Sequence, residues 1–479
     1  MNSTDRALVL GAGPAGLTAA WELEKIGIKT EIVESSSQVG GISKTVLADE
    51  YRFDLGGHRF FTKVEKVKAL WAEMLPPSEM LSRPRKSRIL YRGNFFDYPL
   101  KPVNALFGLG LIETFRSIAS YIWVRISPPK DQTNFEGWVA ARFGWRLYRI
   151  FFKTYTEKVW GVPAESIGSD WAAQRIKSLS LSKAILNAFY KSKKEVITTL
   201  IDNFQYPKYG PGQLWENAAS ILEEKRFSVT HNLKVTEIHK KNKSYEVKFE
   251  DGSSKEAELI FSSLPLAKVA EMLDKDKSNS ELHDVCQNLK HRDFLTVALI
   301  FDAPAKFDDN WIYVHEKEVT VGRVQNFESW SPYLVKAGTS CLGLEYFVNQ
   351  GDKVWNMSDE DLVQFALSEA NKIGIVNGNF ISGHVVRVPN AYPVYDSDYK
   401  KNVDFVINWL TIEHPNLYQI GRSGQHRYNN QDHSMMTAVE AVLSLVGKQS
   451  CSYWEVNVDD EYHEESNNSS GRAAPVFEK

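Results

Sequence analysis

The chain has 479 residues, enough for a substantial core and more than one domain. With 57 Lys+Arg against 60 Asp+Glu and a net charge of −3, no global basic field exists to hold nucleic acid or an anionic membrane, so any anion site is local. Cys286, Cys341 and Cys451 form neither a C-x-x-C pair nor a metal-ligand spacing, so the expectation is reduced thiols and no metal; with no signal peptide ahead of the first apolar run, it is also a cytoplasmic protein.

Along the chain, Ala7-Leu8-Val9-Leu10 reads as a strand, Gly11-Ala12-Gly13-Pro14-Ala15-Gly16 as a glycine turn entering a helix, and Thr30-Glu31-Ile32-Val33 as a second strand ending at Glu34. Gly11 permits the tight turn, Gly13 lets backbone approach a pyrophosphate, and Gly16 lets helix pack closely on sheet. Pro14 and Ala15 open the helix whose free N–H groups face the phosphates. Glu34 stands at the spacing of a carboxylate that accepts from an adenosine ribose. Two further glycine clusters, Gly40-Gly41 and Gly56-Gly57-His58, suit a long cofactor whose ribityl and isoalloxazine parts run on over bare backbone, which favours FAD over NAD.

Ser87 to Tyr98 reads as a hairpin around Arg92-Gly93-Asn94. The apolar stretch Ala105 to Val124 carries Glu113 and Arg116 and is broken by Gly108 and Gly110, so it fails as a membrane span and is expected to be a buried helix, with a peripheral membrane face as the alternative. Helical spacing continues through Trp138, Val139, Phe143, Leu147, Phe151 and Phe152. Short β-type runs from Phe227 to Leu264 return the chain to the cofactor domain, with Val235 as a candidate cofactor contact. Phe294 to Phe301 and Ser340 to Phe347 imply an antiparallel sheet. Leu417 to Gly421-Arg422 is a last strand ending at a glycine, and Ser434 to Val446 a helix with Asp432 or Ser434 as its cap.

The predicted organisation is α/β. A Rossmann-like FAD-binding domain is assembled from 1–80, 205–265 and 412–450, and an antiparallel-sheet substrate domain from 81–104 and 266–411. A helical domain spans 105–204, and 461–479 is a disordered, Asn/Ser-rich tail.

Gly11 to Gly16, Glu34, Gly40-Gly41 and Gly421-Arg422 resemble the wider amine-oxidase-like flavoproteins. Gly56-Gly57-His58, Val159-Trp160-Gly161-Val162-Pro163, Tyr206 to Trp215, Ala391-Tyr392-Pro393 and Arg427 to Ser434 are closer to UDP-galactopyranose mutase and its relatives. The resemblance reaches about residue 448. It implies an FAD flavoprotein that isomerises a nucleotide-diphosphate sugar between pyranose and furanose forms in glycan synthesis. The reduced flavin N5 would bond to the anomeric carbon, and a reductant such as NAD(P)H would serve the flavin. By the same resemblance Arg175 and Arg323 grip the diphosphate, Tyr313, Tyr392 and Tyr428 surround it, and His58 stands beside the isoalloxazine. Gly57, Asn430, Asp432, Ser434, Gly421 and Arg422 are placed at the cofactor. Gly40-Gly41-Ile42 departs from the usual Gly-Gly-Leu or Gly-Gly-Arg.

Two guanidinium forks match what a departing diphosphate requires, because each donates charge-assisted hydrogen bonds to phosphate oxygens. His58 follows two glycines, so its backbone is favoured over acid/base work. Two other readings stay open: an FAD oxidase, dehydrogenase or desaturase acting on an amine, porphyrinogen or polyene, and a flavoprotein that binds a nucleotide sugar without turnover. Apolar surface on the helical part offers a homo-oligomer face.

Overall fold

Five parallel strands form the first sheet, in the order Leu417–Gln419, Leu259–Ser262, Arg6–Leu10, Lys29–Val33, Ser228–Thr230. They come from the beginning, the middle and the end of the sequence. The computed structural model describes residues 6–98, 100, 102–169 and 203–456. Arg175 and the tail 461–479 lie outside the described residues.

Buried on both faces, the central strands read as continuous apolar runs. One face packs against helices Pro14–Lys25, Glu65–Met74, Gly212–Glu224 and Gln431–Leu445, sharing a core that includes Leu17, Leu70, Trp215 and Val439. The other face, with Leu8, Leu10 and Ile260, meets an antiparallel three-stranded sheet, Val235–Lys240, Tyr245–Phe249 and Ser254–Ala257. Helices Leu266–Leu273, Ser280–Asn288 and Tyr399–Glu413 contribute Leu266, Leu282 and Val406 to this same core. The second part of the sheet domain therefore does not fill 266–411. Its strands run from His291 to Pro393, and the flanking helices belong to the first sheet because their apolar stripes face that core.

The second sheet has seven strands, in the order Phe380–Pro393, His291–Phe301, Ser340–Val348, Arg323–Asn326, Trp311–Val314, Ser87–Tyr91, Asn94–Asp97. Neighbours are antiparallel except Trp311–Val314 beside Ser87–Tyr91. The hairpin at Arg92-Gly93 adds the edge strand. Helix Asp359–Lys372, capped by Ser358 Oγ accepting from Asp361 N at 3.1 Å, covers one face through Leu362 and Ala366.

The helical part includes Leu111–Ile126, which packs on Phe135–Tyr148, and a π-helical turn Arg149–Lys153 leading into Thr154–Trp160. Gly144 breaks the second helix at φ 84°, ψ 149°, and a Cβ there would come 2.8 Å from Tyr121 N. The expectation of a buried helix across Ala105 to Val124 is corrected. Leu111, Ile112, Phe115, Ile118, Ile122, Trp123 and Ile126 are all exposed, and the packed side carries mainly small and polar residues.

Candidate active site

Backbone geometry prepares the first half of the site. Gly11 has φ +97°, and a Cβ on Gly16 would lie 1.8 Å from Gly11 O, so both positions require glycine. Gly13 is extended and faces Gly41, with 3.6 Å between its would-be Cβ and Gly41 Cα. Gly40 N donates to Ala12 O at 2.8 Å, which locks the two glycine loops together. Pro14 opens the helix and no side chain caps it, so its first-turn N–H groups are available to an anion. Glu34 ends the second strand, accepting from Ala12 N at 2.8 Å and from Ser36 N at 2.9 Å.

Farther along, Ala15, Gly421 and Ser434 meet: a Cβ on Gly421, at φ +77°, would be 2.7 Å from Ala15 Cβ and 3.9 Å from Ser434 Cβ. Gly421 N donates to Thr437 Oγ1 at 2.8 Å. The last helix begins at Gln431, three residues before the expected start, with Asn430 at the N-cap position and no capping side chain. Asp432 and Ser434 are thus first-turn residues and not the cap. Asp432 accepts from His433 N at 2.9 Å, an acid placed where the helix dipole favours it. Gln431 Nε2 donates to Arg59 O at 3.3 Å, which sets this helix start beside His58. Val235 is different. Its side chain is buried among Leu8, Val33 and Val247, so only its backbone can face a ligand.

The sheet supplies the second half. Tyr313, Arg323 and Glu345 stand directly opposite one another on three neighbouring strands, and so project from one face. The Arg323 guanidinium donates through Nε to the fully buried Glu345 carboxylate, which also accepts from Gln325 Nε2. Arg323 Nη2 reaches Tyr392 OH at 3.4 Å. Burial works against its charge, but Glu345 and the nearby tyrosines more than compensate, and its pKa rises well above the ordinary value. This arginine is cationic at every relevant pH.

Arg422 brings a second guanidinium to the same place. It lies 4.7 Å from the Tyr392 ring centre and 4.1 Å from that of Tyr428, two rings stacked 5.7 Å apart. Its Nε donates to Ala391 O at 2.8 Å, whereas its buried Nη2 has no hydrogen-bond partner. Tyr155, on Thr154–Trp160, completes the cluster, edge-on to Tyr313 at 5.2 Å and stacked on His315 at 5.2 Å. The His58 ring makes contacts with Leu55 O at 3.1 Å and Ser43 Oγ at 3.4 Å. Burial, reinforced by the charges of Arg422 and Arg323, lowers its pKa to about 4, so the ring is neutral at physiological pH.

The structure thus gathers His58, Tyr313, Arg323, Tyr392, Arg422 and Tyr428. Glu345 and Tyr155 were missed by sequence reasoning. A lone carboxylate inside the apolar strand Ser340–Val348 was a usable signal for the first, whereas Tyr155 is hidden in an aromatic-rich helix. Among the described residues no group of three His, Cys, Asp or Glu could hold a metal, and no helix is long and apolar enough to cross a membrane.

The uncapped helix, the bare Gly13–Gly41 contact and the orphan Arg422 Nη2 fit an elongated anionic cofactor. Residues 14–430 match the sequence pattern of the family described as flavin containing amine oxidoreductase. The fold is similar to that of a crystal structure of reduced UDP-galactopyranose mutase, with TM-score 0.84 and 20% identity over 95% of this chain and 98% of that one. It is also similar to a putative protoporphyrinogen oxidase from Exiguobacterium sp. 255-15, with TM-score 0.70 and 16% identity over 92% and 98%. At those identities the likeness establishes the fold alone. Among curated proteins, 4,4'-diapolycopene oxygenase of Methylomonas sp is 41% identical over 58 residues, a stretch spanning 12% of this chain and 12% of that protein. The cofactor is FAD.

Proposed function

The chain belongs to the flavin containing amine oxidoreductase family, and from that premise we propose that it is a nucleotide-sugar mutase of the UDP-galactopyranose type, interconverting pyranose and furanose forms. The observation that carries this reading is the convergence of Arg323 and Arg422 on the stacked Tyr392–Tyr428 pair. Guanidinium donors offer an ammonium substrate no acceptor, and a polyene gains nothing from guanidinium forks. A pyrophosphate-linked sugar uses both, as phosphate is matched by bidentate donors and the sugar by aromatic faces.

In this reading Gly11, Gly13, Pro14, Ala15 and Gly16 hold the FAD pyrophosphate and Glu34 its ribose. Gly40, Gly41, Gly57, Gly421, Asn430, Asp432 and Ser434, with the Val235 backbone, would hold the rest of the cofactor. FAD, when bound and reduced, supplies the nucleophilic N5 for the anomeric carbon. Arg323, pinned by Glu345, takes up charge on the departing diphosphate, and Arg422 offers its free Nη2 to the same anion or to the flavin. Tyr313, Tyr392 and Tyr428 orient the phosphates and exclude water. Neutral His58 contributes shape and backbone next to the flavin. Arg175 is proposed as a further diphosphate ligand from sequence resemblance alone.

Dithionite-reduced protein should interconvert the ring forms of a UDP-hexose from a nucleotide-sugar panel, and cyanoborohydride should trap sugar on the flavin. Activity confined to oxidised protein overturns the reading. The second reading, an FAD oxidoreductase, draws on the 58-residue match to an oxygenase. It requires that a substrate bleach the oxidised flavin and that oxygen or a quinone restore it.

A further inference from the structure

Helix Leu111–Ile126 is built inside out. The side packed on Phe135–Tyr148 presents Glu113, Ser117, Ser120 and Tyr121: Glu113 pairs with Arg146, Ser120 Oγ accepts from Arg146 N at 3.1 Å, and Ser117 Oγ donates to Glu113 O at 2.8 Å. The outward side is apolar, with Leu111 79%, Phe115 70%, Trp123 62% and Ile126 74% exposed, and Ile112, Ile118 and Ile122 between them. A soluble helix normally shows the reverse pattern. A contiguous apolar face of this kind marks an interaction site.

Charge identifies the occupant. Arg116 and Arg125 are exposed on the helix itself, Lys130 and Asp131 follow its end, Arg142 is exposed on the neighbouring helix, and the helix's one acid, Glu113, is engaged by Arg146 through a 2.7 Å contact. Arg142 lies near enough to Arg125 for each to feel the other's charge. A second copy docked by a two-fold axis would set these cations against themselves. Segment 170–202 is by composition basic, with Arg175, Lys177, Lys183, Lys191, Lys193 and Lys194 against Asp170, Glu195 and Asp202, so as an occupant of this face it would bring like charge. Anionic lipid headgroups neutralise the rim and accept the stripe. With 16 residues the helix is about 24 Å long, too short to span a bilayer and suited to lying flat in its interface. Trp123 is a residue type that settles at that depth.

We propose that the exposed face of Leu111–Ile126 docks the enzyme on an anionic membrane surface. The test is flotation of the full-length flavin-loaded protein with vesicles of phosphatidylcholine alone or with roughly one-third phosphatidylglycerol. Wild type floats with the anionic vesicles. Phe115→Glu/Trp123→Glu abolishes flotation, and Arg116→Gln/Arg125→Gln weakens partition about 10- to 30-fold, at about 1 kcal/mol per cation. Flavin absorbance and melting temperature stay unchanged in both variants, which separates docking from folding. Failure of wild type to float, or flotation indifferent to both variants, overturns the proposal. So does a lipid-free dimer broken by Phe115→Glu/Trp123→Glu, or strong hydrogen-exchange protection of residues 111–126 in a lipid-free monomer. The first would assign the face to a second copy and the second to segment 170–202.

Discussion

Glu345 is fully buried and holds two donors, so it and the Arg323 guanidinium stabilise each other as a buried pair. Removing one partner strands the other, typically at about 3–5 kcal/mol. Arg323→Lys keeps the charge and loses the fork. It is expected to weaken nucleotide-diphosphate binding roughly 10- to 100-fold with the flavin spectrum intact, as read by calorimetric titration. Unchanged affinity would make Arg323 structural. Gly13→Ala offers a separate test, because the extended backbone and the ordinary 3.6 Å contact with Gly41 accept a methyl group that the pyrophosphate would not. The expected product is folded, colourless protein, checked by circular dichroism and flavin absorbance. Arg323 and the three tyrosines were legible from their local wording. Glu345 carried a signal, a lone acid in an apolar strand, but its pairing with Arg323 was not legible, because the two are cross-strand neighbours 22 residues apart in sequence and pairing register is not written in either strand.

At the level of elements, the Gly144 kink is what lets Phe135–Tyr148 pass close to Tyr121. Gly144→Ala imposes both a left-handed φ and a 2.8 Å contact with backbone. A loss of about 2 kcal/mol or more is expected, seen as a lower urea midpoint, and an unchanged midpoint would mean that the two helices separate freely. The strands and glycine turns could be read because periodicity and turn chemistry are local. Two other expectations failed for physical reasons. The last helix starts early because Asn430 takes the extended cap conformation while Asp432 is content in the first turn. Leu111–Ile126 was expected to be buried because apolarity normally means burial, and sequence alone does not show which side of a helix finds a partner.

For the whole molecule, pH acts through buried rings. Burial lowers His291 and His414 to about 4 and His315 to about 3, and holds His426 well below the ordinary 6.5. Unfolded chains take up these protons near 6.5, so this contribution to stability is complete above that value and is lost as pH falls from 6.5 toward 4. Each ring withdraws about 1 kcal/mol by pH 5.5. Asp54 acts oppositely. Burial, opposed by hydrogen bonds from Tyr206 and Thr45, raises it from the ordinary 3.8 to about 7, so its protonated form favours folding fully below 3.8 and that benefit is lost as pH rises from 3.8 to about 7. Melting temperatures should rise from pH 4.5 to 6.5 and level off above 7, and Asp54→Asn, which removes the opposing slope, should steepen the rise without moving the plateau's onset above 7.

The five-stranded parallel sheet needs Leu417–Gln419 beside Leu259–Ser262, so its edge strand leaves the ribosome long after the neighbour it pairs with. Until then the nascent chain carries an unclosed sheet and an apolar core open to solvent. The glycine-lined site is incomplete until Gly421 and Ser434 emerge to meet Ala15, and a ribosome stalled ahead of residue 417 should display a chain that chaperones hold and that retains no FAD.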